Sequence, residues 1–284
     1  YKGTQEQTVD AIIAKDKNLT FKGLCYIVFE QFPISDFGTS MPKFTFTVQR
    51  NISKYNPKSI NNLIKGVTLI PASGEFCYHT QITTKYKVRG TKNGDVLLED
   101  SKKVLNANNN SNKADVLVSL DQLQSQLPNL EWVSVVVNWF GDSMDIANCS
   151  IFPACEYNDY NMVTLPNEWF VAGKKRTQTR VVGRDSSGNL RYGGTPSDGS
   201  VVALLTELKN RGLKVAFTPM VMMDCDQKPW RGRLTGSASN ISNFFHKNDG
   251  YNAFISHYAN LTKGLVDCFV IGTEMVGLTK INHE

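Results

Sequence analysis

The chain has 284 residues, of which 41% are hydrophobic and 20% are charged. This apolar content suffices for a sizeable core, so the composition excludes intrinsic disorder, and no apolar run approaches the roughly 18 residues that a membrane span needs. The 31 Lys and Arg residues are dispersed and give a formal net charge of only +5, which argues against a nucleic-acid-binding protein.

Residues 1–65 are predicted to form a small β-rich segment that ends in a polar linker. Residues 23–29 are rich in strand-forming side chains, and residues 44–48 alternate apolar and polar side chains as a half-buried strand does. Prolines and glycines between these two runs predict a connecting loop. The chain begins at Tyr1 rather than Met, and we expect it to be cut from a longer polypeptide.

Residues 66–284 alternate between strand-sized apolar runs and helical patterns. The predicted strands are residues 67–70, 133–137, 215–217 and 268–271. Three helices are predicted. The first begins at a capping box, Ser119 to Gln122. The second begins at Thr195-Pro196 and ends at Gly212, and the third spans residues 254–261 and ends by Gly264. The Asn-rich residues 106–112 are predicted to be a solvated loop.

Helices that alternate with fully apolar strands predict a parallel sheet, because such crossovers cover both sheet faces. The fold class is therefore α/β. We expect a (β/α)8 TIM-barrel-like domain over residues 66–284, with about the first four βα units present. An open doubly wound sheet is the alternative, although no G-x-G-x-x-G motif follows any predicted strand.

Polar and aromatic residues gather after the predicted strands, where parallel α/β folds place their binding sites. These residues are Glu75, Asn138, Trp139, Asp142, Asp224, Trp230, Arg231, Arg233 and Glu274. Sugar C–H faces pack on indole rings, while sugar hydroxyls bond to carboxylates and arginines. The set therefore predicts a carbohydrate site.

Glycoside cleavage needs one carboxylic acid and a second carboxylate. Glu274, at the end of an apolar strand, is the acid/base candidate, and Asp224 is the other catalytic candidate; the remaining residues of the set are predicted to bind substrate. Structural interpretations stay open beside these roles. Asp142 and Asp224 fit turn caps, Trp139 and Trp230 fit the edge of a core, and the arginines fit structural ion pairs.

The cysteines and histidines give no sign of a metal or cofactor site. Four of the six cysteines, Cys25, Cys77, Cys225 and Cys268, lie in apolar contexts and are predicted to be small buried thiols, which favours a reducing compartment. The four histidines have no ligand spacing, and no phosphate-binding motif is present. We expect no cofactor and no metal. The basic cluster at residues 174–176 is predicted to be solvated surface.

Several blocks of the sequence resemble the hub protein of tailed phages and gene transfer agents. The blocks are residues 21–34, 66–71, 137–142, 192–198, 219–224, 230–233 and 271–275. The resemblance implies a tail-tip or baseplate-hub component with a glycoside-hydrolase-like TIM barrel. It also implies other tail or baseplate proteins and a host cell-envelope glycan as partners, and a virion-like tail assembled in the bacterial cytoplasm. We expect neither nucleic acid nor a membrane span.

Three functional hypotheses follow. The first is a tail hub whose barrel engages envelope glycan. The second is an active glycosidase with Glu274 as acid/base, and the third is a glycan-binding barrel without catalysis. Many retaining glycosidases of this fold carry Asn-Glu where this chain has Thr273-Glu274, and they place the nucleophile on a seventh strand. We therefore expect the four βα units alone to be inactive.

Overall fold

The computed structural model describes residues 7, 9–10, 21, 24–33, 35, 43–46, 57–70, 74–91 and 94–281. The chain divides into two compact units, Tyr1–Arg50 and Asn51–Glu284. Within the described residues, every helix is too short or too polar to cross a membrane. The domain boundary at residue 65 stays a prediction.

The described part of the N-terminal unit contains no strand. Residues 24–29 and 44–46 are irregular, so the strand predictions are wrong there, while residues 23 and 47–48 lie outside the described residues. The ring of Phe44 stacks on Phe29 at 4.8 Å and on Phe46 at 6.0 Å between ring centroids. Because all three rings stay partly exposed, they pack on one another rather than on the buried face of a sheet.

The larger unit alternates strands and helices. Its elements are α1 (Ile60–Leu63), β1 (Gly66–Leu69), β2 (Thr84–Thr91), β3 (Gly94–Val104), α2 (Asp115–Gln126), β4 (Trp132–Gly141), β5 (Ile151–Phe152), β6 (Ala154–Cys155), β7 (Met162–Leu165), β8 (Phe170–Val171), β9 (Lys174–Lys175), β10 (Arg180–Val181), α3 (Asp198–Asn210), β11 (Lys214–Met223), α4 (Ala238–His246), α5 (Tyr251–Leu261), β12 (Cys268–Phe269) and α6 (Val276–Thr279). Two 3₁₀ turns, Arg176–Gln178 and Arg231–Arg233, complete the set of described elements.

The four predicted strands are β1, β4, β11 and β12, and they lie side by side in that order. All three pairings are parallel, and the β4–β11 pairing runs from Trp132 opposite Lys214 to Gly141 opposite Met223. The strand prediction is therefore confirmed. A parallel sheet whose order follows the chain is consistent with consecutive units of a TIM barrel, and closure into a barrel stays a prediction.

One face of this sheet packs against helices, and the other is half-exposed. Buried side chains on the packed face come from β4, β11, α3 and α5: Val133, Val135, Val137, Val215, Phe217, Val201, Leu204, Leu205, Leu208, Phe254 and Tyr258. On the other face the hydroxyls of Ser134 and Thr218 lie 3.1 Å apart, and both residues are only partly buried. The sequence predicted burial on both faces; the second face is buried at Val136 and Phe140 and is less covered along β11.

The helix boundaries follow local chemistry. Helix α3 is capped by Ser197, whose hydroxyl accepts a hydrogen bond from the N–H of Ser200 at 3.1 Å. Its C-terminal stop is confirmed at Gly212, where φ is +75°. Helix α2 begins at Asp115, so the predicted start at Ser119 is wrong. The Asp115 carboxylate accepts hydrogen bonds from Asn108 and Asn109, which anchors the start of the helix four residues earlier.

A β-hairpin lies at residues 84–104, for which the sequence analysis predicted no strand. Strands β2 and β3 pair antiparallel, and β7 pairs with the other edge of β2. The sequence signal was Asn93-Gly94 between two runs of strand formers, a common hairpin dipeptide.

Asn106 is buried and is not part of a solvated loop. Its Oδ1 accepts a hydrogen bond from Thr83 N–H at 2.8 Å, and its Nδ2 lies 2.9–3.2 Å from the carbonyl oxygens of Phe76, His79 and Gln81. Asn106 therefore satisfies the backbone of the turn that leads into β2. Asn106 is the first residue of the predicted loop, and it acts as a structural anchor.

We expect Asn106→Ala to lower the free energy of unfolding by about 2–4 kcal/mol, because it leaves several buried backbone groups without partners. Asn110→Ala is the matched control, since Asn110 is exposed in the same segment. Urea denaturation measures both. Equal losses in the two variants would contradict the anchoring role.

Candidate functional site

Glu274 lies just after β12, and two side chains hold its carboxylate. Its Oε2 accepts a hydrogen bond from the indole Nε1 of Trp230 at 2.7 Å and lies 2.9 Å from a guanidinium nitrogen of Arg231. Arg231 is buried and also donates from Nε to the carbonyl of Thr273 at 3.1 Å. Burial lowers the pKa of Arg231, and the negative charge of Glu274 opposes that fall. The structure thus brings three of the predicted site residues together.

The backbone of Glu274 is in the left-handed region, with φ +58°. A non-glycine residue there costs of order 1–3 kcal/mol and persists only where neighbours fix it. Here the fixing contacts are the hydrogen bonds to Trp230 and Arg231. The carboxylate is half-exposed, and no described residue hydrogen-bonds to its Oε1. Arg233 is exposed beside this cluster.

Trp139 lies in the core and not at an exposed surface. Its side chain packs against Phe254 and His257, at 5.2 and 5.6 Å between ring centroids, and its Nε1 donates to the hydroxyl of Tyr258 at 3.2 Å. Only 5% of Trp139 is exposed, so a sugar cannot stack on it in this conformation. This position favours the core-edge interpretation of Trp139, and its substrate-binding role stays a prediction.

Glu75 forms a buried ion pair with Arg176. Both carboxylate oxygens bind the guanidinium, and Oε1 also accepts the N–H of Glu156 at 2.7 Å. Burial of the carboxyl raises the pKa of Glu75, while the guanidinium opposes that rise. The Arg176 guanidinium also lies 4.0 Å from the ring centroid of Tyr157. Arg176 is therefore not solvated surface as predicted, although Lys174 and Lys175 are exposed.

Asp142 directly follows β4 and anchors the chain after it. Its Oδ1 accepts the N–H of Ser150 at 2.7 Å, and its Oδ2 lies 2.6 Å from Arg180 Nη1. The Arg180 guanidinium stacks over Phe152 at 4.1 Å from the ring centroid. These contacts favour the turn-capping interpretation of Asp142 over a sugar-binding role.

Asp224 follows β11, and like Asp142 it binds a backbone N–H and an arginine. Its Oδ2 accepts the N–H of Gly183 at 2.7 Å, and its Oδ1 lies 3.1 Å from Arg191 Nη1. Arg191 also pairs with Asp226. Because Asp224 has a charged partner and a backbone partner, its environment favours a structural role over a catalytic one.

The three ion pairs share one architecture. Glu75, Asp142 and Asp224 follow three neighbouring parallel strands, and each binds an arginine from the segment at residues 176–191. This segment is therefore fastened across the carboxyl edge of the sheet. The carboxylates were found from the sequence, but their arginine partners were not.

Asn138 lines a cleft of about 420 Å³ at this edge. Sheet side chains, including Met220 and Met222, form one side of the cleft, and residues 190–194 with Lys228 form the other. The sequence analysis named neither Tyr192 nor Lys228 as a site residue, although Tyr192 begins one of the blocks that carry the resemblance. The Phe140–Tyr192 ring contact, at 5.7 Å between centroids, is long-range and could not be read from spacing.

The thiol predictions need correction. Cys25 and Cys268 are exposed, whereas Cys149 and Cys155 are the fully buried pair, and burial raises the pKa of each of these two thiols to about 11. Among the described side chains, no three His, Cys, Asp or Glu groups converge to hold a metal ion.

A comparison with known protein families finds one family model that matches part of the chain. Residues 161–284 match the model of Glycoside Hydrolase Family 113. The match covers less than half of the chain, and it contains β11, β12 and the cluster of Glu274, Trp230 and Arg231. This part of the chain is therefore glycoside-hydrolase-like, as the sequence analysis expected. No curated protein matches the chain.

Proposed function

We propose that the protein acts on a glycan as a glycoside hydrolase, with Glu274 as the acid/base. The observation that carries this proposal is the carboxylate of Glu274, held by Trp230 and Arg231 at the carboxyl end of a parallel strand inside the matched region. Function in parallel α/β barrels is built at this end of the strands.

The geometry suits proton transfer to a glycosidic oxygen. Both donors bind Oε2, so Oε1 is the oxygen left to carry a proton toward a substrate. Trp230 is 47% exposed, and its ring offers a face for a sugar beside that carboxyl group. Hydrolysis also needs a second carboxylate. Glu75, Asp142 and Asp224 are each committed to an arginine, and we do not assign them that role.

The test is a panel of cell-wall and plant polysaccharide oligomers, with product release and binding measured separately for the wild-type chain and Glu274→Gln. Turnover that the variant loses supports the proposal. It would also overturn the expectation that four βα units alone are inactive. Absence of both binding and turnover across the panel would refute a glycan-acting protein.

A non-catalytic glycan-binding barrel is the second candidate. It is favoured by the ion pairs of Glu75, Asp142 and Asp224 with arginines, because these pairs leave no second carboxylate of the predicted set for hydrolysis. Glycan binding without turnover, equal in wild type and Glu274→Gln, would favour this candidate over the hydrolase.

The assignment to a phage-like tail hub rests on the resembling sequence blocks and stays a proposal, as do its tail-protein partners and virion-like location. Mass spectrometry of tail particles purified from the source organism tests it. Detection of this polypeptide in the particles would support the hub, and its absence from them would count against it.

A further inference from the structure

The cleft of about 420 Å³ has an apolar floor with one amide in it. Val136 and Asn138 come from β4, and Met220 and Met222 come from β11. Asn138 lies opposite Met220 in the strand register, so the amide is flanked by a thioether side chain. Ligand pockets span about 300–1,000 Å³, so the cleft has room for a small ligand.

The opposite wall is held rigidly. The ring of Tyr192 packs against Phe140 at 5.7 Å between centroids, and its hydroxyl donates to the carbonyl of Met223 at 3.3 Å. Lys228 Nζ lies 5.0 Å from the centroid of the Tyr192 ring. The ammonium group thus lies against an aromatic ring that two contacts hold in place.

The charges of the lining are unbalanced. Arg191 and Lys228 line the cleft, and no Asp or Glu is among the described lining residues. Arg191 is already neutralised by Asp224 and Asp226. Lys228 has a cation–π contact and no ion pair within the described part of the chain. Its charge is therefore the one available to a ligand.

The turn that presents Lys228 is strained. Gln227 and Lys228 both have positive φ, +63° and +47°. Consecutive non-glycine residues in the left-handed region are unfavourable and are retained where the surroundings fix them. The Tyr192 contact and the cleft lining place Lys228 at the cleft, and the strained turn is fixed beside it.

We propose that this cleft binds a sugar unit that carries a carboxylate. Lys228 pairs with the carboxylate, Asn138 bonds to a hydroxyl or amide of the sugar, and the methionines pack against its C–H face. The inference rests on the proposed function, because it names the class of glycan. Because no Asp or Glu is among the described residues that line the cleft, the cleft binds and positions the glycan. It is separate from the carboxyl group of Glu274, which transfers the proton.

Matched disaccharides test this proposal. One pair is N-acetylglucosaminyl-N-acetylmuramic acid and chitobiose, and the other is cellobiouronic acid and cellobiose; within each pair the acid adds a carboxylate. Calorimetry on the full chain at low ionic strength is expected to give about fivefold tighter binding of an acid than of its neutral partner. The preference should shrink as salt is added, because the lysine is exposed.

Lys228→Met is expected to abolish the preference, whereas Lys174→Met, at an exposed lysine on β9, should keep both the preference and the neutral sugar's affinity. Equal binding of acid and neutral sugars, a preference that survives in Lys228→Met, or no binding of any probe would overturn the proposal. Glu274-dependent hydrolysis without an acid preference would leave the proposed function standing and remove only this inference. Selective binding of the acid sugars without hydrolysis would leave this inference standing and remove the proposed hydrolase activity.

Discussion

Replacing Glu75 with glutamine is expected to lower the free energy of unfolding by about 3–5 kcal/mol. The substitution removes a negative charge and leaves the guanidinium of Arg176 buried without its ionic partner. The side chains of Glu75 and Arg176 are 2% and 10% exposed, so water cannot compensate. Urea or thermal denaturation of the purified chain measures the loss.

Two further variants separate the ion pair from simple loss of packing. Arg176→Met strands the carboxylate instead and should cost a similar amount. The double variant Glu75→Leu with Arg176→Met should cost less than the sum of the single changes, because neither charge is then left buried alone.

Asp142→Asn is the matched control. It removes the charge opposite Arg180, whose side chain is 55% exposed, and it keeps an oxygen for the N–H of Ser150. Exposed ion pairs contribute about 0–1 kcal/mol. A loss in Glu75→Gln no larger than that in Asp142→Asn would contradict the structural importance of the buried pair.

The strands of the parallel sheet could be predicted because their signal is local. The β-branched run at residues 133–137 specifies a buried strand by composition alone, and the apolar stripe of α3 repeats at helical spacing. Both signals arise from side chains that are neighbours in sequence. The order and direction of the strands then followed from the alternation of strands with helices.

The ion pairs at the sheet edge could not be predicted, because their signal is not local. Glu75 and Arg176 are 101 residues apart, and Asp142 and Arg180 are 38 residues apart. No spacing rule links such partners. Arg176 lies in a cluster with two lysines, and composition alone predicted solvent for all three. Only the fold separates the buried arginine from its exposed neighbours.

The same limit explains the partial success at the candidate site. Position after a strand identified Glu274 and Trp230, which the structure joins by a 2.7 Å hydrogen bond. Position alone could not tell which tryptophan faces solvent. Trp139 is inside β4 and alternates onto the helix-packed face, whereas Trp230 is in the loop after β11.

Glu274→Gln is expected to reduce turnover of a glycan substrate about 10²–10⁴-fold, the usual contribution of a general acid or base. Glutamine has nearly the same shape and keeps an oxygen that accepts from Trp230 and Arg231, but it cannot transfer the proton. Substrate binding should therefore stay close to that of the wild type, so the loss appears in kcat and not in KM. Steady-state kinetics on the best oligomer of the panel measure both constants.

Glu99→Gln is the control for this loss, because Glu99 is an exposed glutamate on β3. Its turnover should equal that of the wild type. An equal effect of the two substitutions would mean that the contacts of Trp230 and Arg231 hold Glu274 for structure alone. A fall in the substrate affinity of Glu274→Gln without a fall in kcat would mean that the carboxylate binds the sugar and does not deliver the proton. Because Arg231 is buried and also bonds to the carbonyl of Thr273, the first outcome would give this cluster a structural role at the sheet edge, and the second would give Glu274 a sugar-binding role.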